Sequence, residues 1–442
     1  MAECNLPPPS YESVVQPDVR LTFFDFWPKC LDRSDKIKRA PFEQFRLLIA
    51  RANEFLLTRS DIILKNVQTI SKKCANLSNV YNGCLYYRYG DSHAAIVYGL
   101  RLWFAIDPSF KPSAPLQLQY IDLKPRNLNS SHEYVSYPRL DEVIKEFNEG
   151  LRTRPLEGSV VSIDTVTLKI DKEIWKHLDG NISTEQTSWP DIYKQHLFQF
   201  IRVFYLIGPP KYEYVGIQDF VPHKTCGRGV FHGTPEYTSY SSMLPALQTW
   251  LRNDTRKTIK NINTVETIYV SSTESGESGH NLFTTYPYFY KIYGKERVRF
   301  MRVGYVVPQD PTVNPQNNHY PGLSYRTFVP GYLGGSDTTK YQSMIQLMKY
   351  AISWLNATRA NVICAEFCGP FHHDYIKNGD SRAESSTLDG EWYWQRSGNS
   401  THLVPYKFIY FIRVYLDRYY PEPAEGSLVE VPSQYDGECR IL

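Results

Sequence analysis

The sequence predicts an α+β protein made of four tandem strand–helix–strand–strand repeats. The main observation is an apolar run that carries one arginine and is followed by a proline, and that occurs four times in 442 residues. The arginines, about 100 residues apart, are Arg101, Arg202, Arg302 and Arg413. A proline that closes an earlier β-rich run precedes each of them, at Pro28, Pro125, Pro222 and Pro330. Self-similarity at a nearly fixed spacing is the sequence signature of a repeat architecture.

Each predicted repeat begins with a strand such as 323–329, which its proline ends because proline cannot continue a central ladder. An amphipathic helix follows, and in the first repeat its apolar residues recur over 42–56 at the 3.6-residue period. A second strand carries an acidic or amide residue, and a third carries the arginine. The predicted divisions are a disordered tail at 1–18, repeats at 19–112, 113–212, 213–318 and 319–423, and a flexible tail at 424–442.

The order of these elements resembles the SHS2-like strand–helix–strand–strand module. Pairs of that module build GyrI-like ligand-binding domains and haem-binding SOUL-type proteins. The resemblance concerns topology alone, so none of those families' binding residues is carried over. It implies that one unit cannot cover its own sheet, and we therefore expect the repeats to pair into two pseudo-dimeric halves, 19–212 and 213–423.

The acidic or amide residue of each second strand is expected to meet the arginine of the third strand across one sheet face. The expected pairs are Asp164 with Arg202, Glu266 with Arg302, Glu366 with Arg413, and Gln68 with Arg101. A pocket that offers arginine to a carboxylate or phosphate is one interpretation. A structural ion pair that fixes strand register is favoured, because catalytic residues rarely recur in every copy.

Composition indicates a globular chain and excludes a strong electrostatic field for nucleic acid. Lys+Arg 49 against Asp+Glu 46 leaves a net charge of +3, and the 34 tyrosines favour sheet structure. The chain has no pattern typical of a signal peptide, and its eight cysteines lack the spacing of a disulfide framework. We therefore expect a cytoplasmic protein with reduced thiols.

Both tails carry a short motif. Pro8, Pro9 and Tyr11 match the PPxY pattern, which WW domains bind as a pre-formed polyproline helix. The last four residues, beginning at Cys439, match a C-a-a-X prenylation box whose terminal leucine favours geranylgeranyl. One lipid chain without a basic cluster gives marginal membrane binding, so the sequence predicts a peripheral membrane pool beside the cytoplasmic one.

One cluster has residue types that bind metals: Cys364, Cys368, His372 and His373. Two adjacent histidines do not easily bind the same ion, and the paired spacing of a structural zinc site is missing, so buried thiols are favoured. No catalytic residue, metal site or cofactor is predicted. The sequence favours a binding or adaptor protein, and the alternative is a small-molecule-binding protein or enzyme that uses a cleft between paired repeats.

Overall fold

The computed structural model has an α+β fold, as the sequence predicts. Its secondary structure consists of α-helices and small antiparallel sheets. No helix among the described residues is both long enough and apolar enough to cross a membrane. The structure describes residues 21–31, 41–74, 85–88, 94–108, 110, 112, 114–128, 137–171, 182–191, 195–223, 238–268, 297–313, 320–334, 340–372, 406–424 and 426–428.

The elements follow a similar order in four consecutive segments. The first segment contains β1 (Thr22–Phe26), α1 (Phe45–Leu57), β2 (Ile62–Cys74), β3 (Leu85–Arg88) and β4 (Ala94–Ile106). The second contains β5 (Leu118–Leu123), α2 (Leu140–Thr153), β6 (Leu156–Asp171), β7 (Ser188–Asp191) and β8 (Gln195–Lys211). The third contains β9 (Glu213–Phe220), α3 (Leu244–Asn253), β10 (Thr258–Ile268) and β11 (Arg297–Pro308). The fourth contains β12 (Ser324–Phe328), β13 (Tyr332–Gly334), β14 (Lys340–Tyr341), α4 (Met344–Thr358), β15 (Val362–His372) and β16 (Tyr406–Leu416).

Each segment has a three-stranded antiparallel sheet with the arginine-bearing strand in the centre. The strand orders are β1-β4-β2, β5-β8-β6, β9-β11-β10 and β12-β16-β15. Two short strands extend the sheet of a different segment, because β7 pairs with β4 and β3 pairs with β16. The first segment is therefore joined by backbone hydrogen bonds to the second and to the fourth.

The helices form where local capping and an apolar face agree. Ser343 begins α4 with a capping box, in which its hydroxyl accepts from the Gln346 N–H and the Gln346 side chain accepts from the Ser343 N–H. Pro245 lies in the first turn of α3, where its missing N–H has no cost. The α4 helix ends at Arg359, which adopts a left-handed backbone conformation.

Three helices bind the start of the following segment through a side-chain amide. The Asn53 amide donates to the Leu118 carbonyl (3.0 Å) and accepts from its N–H (2.7 Å). Asn148 makes the same two bonds with Val215, at 2.8 and 3.0 Å. Gln248 on α3 donates to the Leu323 carbonyl at 3.0 Å. These bonds satisfy backbone groups at the outer edge of each sheet, which would otherwise lack partners.

Each segment shares a hydrophobic core with the next one, and the fourth segment shares a core with the first. One joins α1 to Phe204, another joins α2 to Val306, and a third joins α3 to Tyr415. The fourth joins Leu21, in the first segment, to Ile352 on α4. Packing therefore gives no reason to divide the chain into the expected halves 19–212 and 213–423, because the core of the α2 junction crosses that boundary.

Candidate functional site

The four repeated arginines lie on the central strands and are completely buried. Arg101, Arg202, Arg302 and Arg413 are 0–1% exposed. A guanidinium stays charged in proteins, so burial at this depth requires partners within the molecule. The arrangement of those partners decides whether the arginines form a ligand site.

In three sheets the partner is an aspartate on the first strand. Arg101 donates through Nε and Nη2 to the two carboxylate oxygens of Asp25, both at 2.6 Å. Arg202 pairs in the same way with Asp122 (2.6 and 2.7 Å), and Arg302 with Asp219 (both 2.7 Å). This two-point geometry is the strongest form of an arginine–carboxylate pair.

The sequence analysis missed these aspartates although they carry a visible signal. Each lies three residues before the marker proline of its segment, as Asp25, Asp122 and Asp219. Thr327 occupies the same place before Pro330 in the fourth segment. An Asp-x-x-Pro pattern in the register of the arginines would have identified the partners.

The expected second-strand residues differ in whether they meet their arginine. Asp164 is opposite Arg202 in the strand register, and Glu366 is opposite Arg413. The expected pairing of Glu266 with Arg302 is wrong, because Glu266 lies opposite Arg299 and Asn263 lies opposite Arg302. Of the expected ion pairs, the structure brings together Glu366 and Arg413, with Oε1 and Nη1 3.1 Å apart.

The second-strand residues bind the backbone of the next second strand instead. Asn66 on β2 donates to the Ala365 carbonyl (2.9 Å) and accepts from its N–H (3.0 Å). Gln68 does the same with Phe367, at 3.1 and 2.8 Å. Both pairs of bonds join β2 to β15 along edges that have no neighbouring strand in their own sheets among the strands the structure describes.

The same bonding continues through the other second strands and returns to β2. Glu366 on β15 accepts from the N–H and hydroxyl of Thr264 on β10, both at 2.7 Å. Asn261 on β10 bonds the N–H (2.7 Å) and carbonyl (3.0 Å) of Ile163 on β6. Asp164 on β6 accepts from the Thr69 N–H on β2 at 2.6 Å. The four second strands therefore form a closed circuit of hydrogen bonds.

Asp164 is a fully enclosed member of this circuit. Its carboxylate accepts from the Thr69 N–H (2.6 Å) and from the Asn263 amide (2.7 Å). Burial raises the pKa of Asp164 to about 6, although these hydrogen bonds and the charge of Arg202 favour the ionised form. Loss of hydration thus outweighs the partners that the protein provides.

A group of buried polar side chains lies where the third and fourth segments meet. Arg413 Nη1 donates to the Thr264 hydroxyl at 2.6 Å, and the guanidinium lies 3.9 Å from the ring of Tyr240. The Tyr415 hydroxyl donates to Glu366 at 2.8 Å and lies 2.9 Å from the Tyr240 hydroxyl. Glu366 is 2% exposed and Tyr415 is 0% exposed, so this cluster is closed to a substrate.

The neighbouring thiols have the properties of buried core cysteines. Cys364 and Cys368 are free and buried, and burial raises the pKa of both thiols. A raised pKa disfavours the thiolate, which is the form that binds metals. Among the described residues no group of histidine, cysteine and acidic side chains could hold a metal ion.

An open groove of about 430 Å³ lies between α2 and β9. Ile144, Asn148 and Arg152 line one side, and Tyr214 and Gly216 line the other. The Arg152 guanidinium donates to the Tyr214 hydroxyl at 3.1 Å. The charged residues of its lining, Asp141, Lys145, Glu149 and Arg152, all lie on α2.

The motif residues of the tails lie outside the described part of the chain. This applies to Pro8, Pro9 and Tyr11, and to Cys439. His373 lies outside it as well, and only the backbone of His372 is described. The WW-binding and prenylation motifs therefore stay predictions.

Comparison with known proteins adds no relative from which a site could be transferred. No protein-family model matches the chain, and neither does any curated protein or any solved structure. The interpretation of the site therefore depends on the residues and geometry described above.

Proposed function

We propose that the chain consists of four diverged copies of one strand–helix–strand–strand unit, arranged as a closed ring. The shared strand order, the equivalent central arginines and the Asp-x-x-Pro pattern support the copies. The hydrogen-bond circuit through β2, β15, β10 and β6 supports the ring. A ring explains why no single sheet covers its own faces, since neighbouring units supply the missing cover.

We further propose that this ring is the scaffold of a cytoplasmic binding or adaptor protein. The N-terminal tail recruits a WW-domain partner through Pro8, Pro9 and Tyr11, and a prenyl group on Cys439 holds a fraction of the protein at membranes. The carrying observation is that each repeated arginine is buried and engaged by partners of its own chain. The repeated charges thus stabilise the scaffold, which leaves the tails and the surface for recognition.

An enzyme or small-molecule-binding protein is the weaker candidate. It would need the polar cluster around Glu366 and Arg413 to be reachable, and both side chains are at most 2% exposed. The groove between α2 and β9 is reachable, and its acidic and basic lining residues all lie on α2. These observations favour a binding surface over a catalytic site.

The positions where the two tails leave the scaffold fit joint recruitment. Leu21 lies in the core that joins the first and fourth segments, and Leu428 packs against the same core. Tyr11 lies ten positions before Leu21, so the motif stays within about 35 Å of that core even when the tail is extended. A partner bound to the tail and a lipid at the other terminus would therefore be tethered to one side of the molecule.

Reconstitution on neutral phosphatidylcholine vesicles tests this function. The full chain is prenylated enzymatically, mixed with a fluorescent WW domain, and floated with the vesicles. We expect co-flotation of the WW domain with the wild type, loss of it with Tyr11→Ala or Cys439→Ser, and no change with Pro7→Ala, which lies outside the motif. Recruitment that is unchanged by Tyr11→Ala would contradict the proposal.

A further inference from the structure

One helix lacks an aromatic ring that the other three helices share. Each helix has a buried leucine near its end. The residue before that leucine is Phe55 in α1, Trp250 in α3 and Trp354 in α4. In α2 the residue in this place is Gly150. The four positions correspond because the leucines that follow them are Leu56, Leu151, Leu251 and Leu355, all buried.

The three aromatic rings fill the same space over the sheet of their own segment. The Phe55 ring centroid is 4.5 Å from that of Phe24 on the first strand and 5.9 Å from that of Phe104 on the central strand. The Trp250 ring is 5.8 Å from Phe220 and 4.9 Å from Tyr305, again on the first and central strands. The ring of Trp354 lies 5.9 Å from that of Phe328 on β12.

At Gly150 the helix has no side chain in this place, and Phe147, one turn earlier, packs against the core that Ile121 and Tyr205 also contact. Gly150 is exposed, and a Cβ added there would meet no atom within 4 Å. Of the sheet residues in the matching places, Leu123 on β5 is buried, whereas Ile121 on β5 and Tyr205 on β8 are only partly buried. Ile207, two residues beyond Tyr205, is 45% exposed. We call Gly150, Ile121, Tyr205 and Ile207 the α2 notch.

The rim of the α2 notch has the opposite charge to its counterpart in the third segment. There the Lys257 ammonium lies 4.7 Å from the centroid of the Trp250 ring. Glu157 occupies the matching place at the start of β6. Burial is the main cause of the raised pKa of Tyr205, and the negative charge of Glu157 is the second cause. The α2 notch therefore combines an exposed helical glycine and partly exposed apolar side chains with an exposed acidic side chain.

We propose that the α2 notch binds an aromatic side chain of a partner protein, with a basic residue beside it in the partner's sequence. The aromatic ring would occupy the space that Phe55, Trp250 and Trp354 fill in the other segments, and the basic side chain would pair with Glu157. The proposal deepens the adaptor function and rests on it, since it names a surface by which the scaffold itself binds a protein.

Three blocked dipeptides test the notch by saturation-transfer NMR on the full chain: Arg-Trp, Glu-Trp and Arg-Ala, each acetylated and amidated. We expect saturation of the indole protons, with Arg-Trp binding about two- to fivefold more tightly than Glu-Trp, the range for one exposed ion pair. Gly150→Trp fills the notch and should abolish the indole signal. Gly322→Trp, at another glycine with open space around it, is the matched control and should leave the signal unchanged.

Glu157→Lys gives a second readout that depends on charge and leaves the notch open. We expect this variant to bind Glu-Trp more tightly than Arg-Trp, with thermal melting used to confirm that each variant folds. An indole signal that persists in Gly150→Trp, or a preference unchanged by Glu157→Lys, would overturn the proposal. Self-association of the wild type that Gly150→Trp abolishes would also overturn it, because the occupant would then be a second copy. These samples contain no WW domain and no lipid. A negative result for the notch is therefore independent of whether the tails bind their WW-domain and membrane partners.

Discussion

Removal of the Arg302 guanidinium should destabilise the fold much more than a surface charge removal does. Arg302 and Asp219 share two hydrogen bonds of 2.7 Å, and their side chains are 1% and 2% exposed. Arg302→Ala would leave the Asp219 carboxylate buried without its partner. Breaking a buried pair in this way costs roughly 3–5 kcal/mol of unfolding free energy.

A double-mutant cycle separates the pair from the packing of its members. Arg302→Ala, Asp219→Ala and the double variant are unfolded in urea. Their free energies of unfolding are compared with one common value for the dependence of that free energy on urea concentration. We expect the double variant to lose clearly less than the sum of the single losses, because it leaves no unpaired buried charge. Arg256 and Asp254, whose side chains are 36% and 25% exposed, form the matched surface pair, for which about 0–1 kcal/mol is expected.

The cycle also decides between a structural and a ligand-binding role for the arginine. A loss below about 1 kcal/mol in Arg302→Ala would refute the reasoning, since an exposed pair loses as much. An unchanged melting temperature together with loss of a bound small molecule would favour the pocket interpretation instead. Native mass spectrometry of the wild type and the variant makes that comparison.

Four further predictions follow from single positions. The raised pKa of Asp164 makes its ionised form unfavourable in the folded state, so its contribution to stability falls by up to about 3 kcal/mol between pH 4 and 7; Asp164→Asn should flatten this fall in urea titrations, and equal pH profiles would contradict it. Gly150→Ala should stabilise the protein by about 0.5–1 kcal/mol in the same assay, since the site is helical and has room for a methyl group; a lower stability would show that the space is occupied. Asn148→Ala should cost about 1–3 kcal/mol because it leaves backbone groups of Val215 without partners, and a loss near zero would mean that water replaces the amide. Intact mass of protein from its own cells should show prenylation of Cys439 with removal of the last three residues, and Cys439→Ser should end at Leu442 unmodified.

The sequence predicted the class of fold and the elements that carry the arginines because both depend on local patterns. Apolar runs, prolines and helical periodicity place strands and helices without knowledge of the tertiary structure. Arg202 and Arg413 both lie on the central strands of their sheets. Whether the four segments descend from one repeated unit stays the proposal made above.

The partners of the arginines could not be chosen from periodicity alone. A central strand has two neighbours, and the sequence analysis considered only the second strand, where Glu266 was three residues out of register with Arg302. The Asp-x-x-Pro pattern on the first strand was available and would have corrected the assignment to Asp219. Which neighbouring strand supplies the arginine's partner depends on the residues that the strand register places opposite the arginine. Composition does not determine that register.

The bonds between segments were beyond sequence analysis for a different reason. Asn66 and Ala365 are 299 residues apart, and nothing local in either stretch indicates the other. Polar residues at the edge of a strand can face solvent, a ligand or another strand. Only the closed circuit of second strands shows that these amides bind backbone, which also explains why Gln68 could replace a charged residue in the first segment.

The central claim is that the tails, and not a catalytic centre in the scaffold, mediate recognition, and a WW-domain titration tests it most directly. Purified full-length chain is titrated into fluorescently labelled WW domains, and anisotropy is measured for the wild type, Tyr11→Ala and Pro7→Ala. The account predicts saturable binding that is lost in Tyr11→Ala and retained in Pro7→Ala. Absence of binding to every WW domain, or equal binding by Tyr11→Ala, would contradict it.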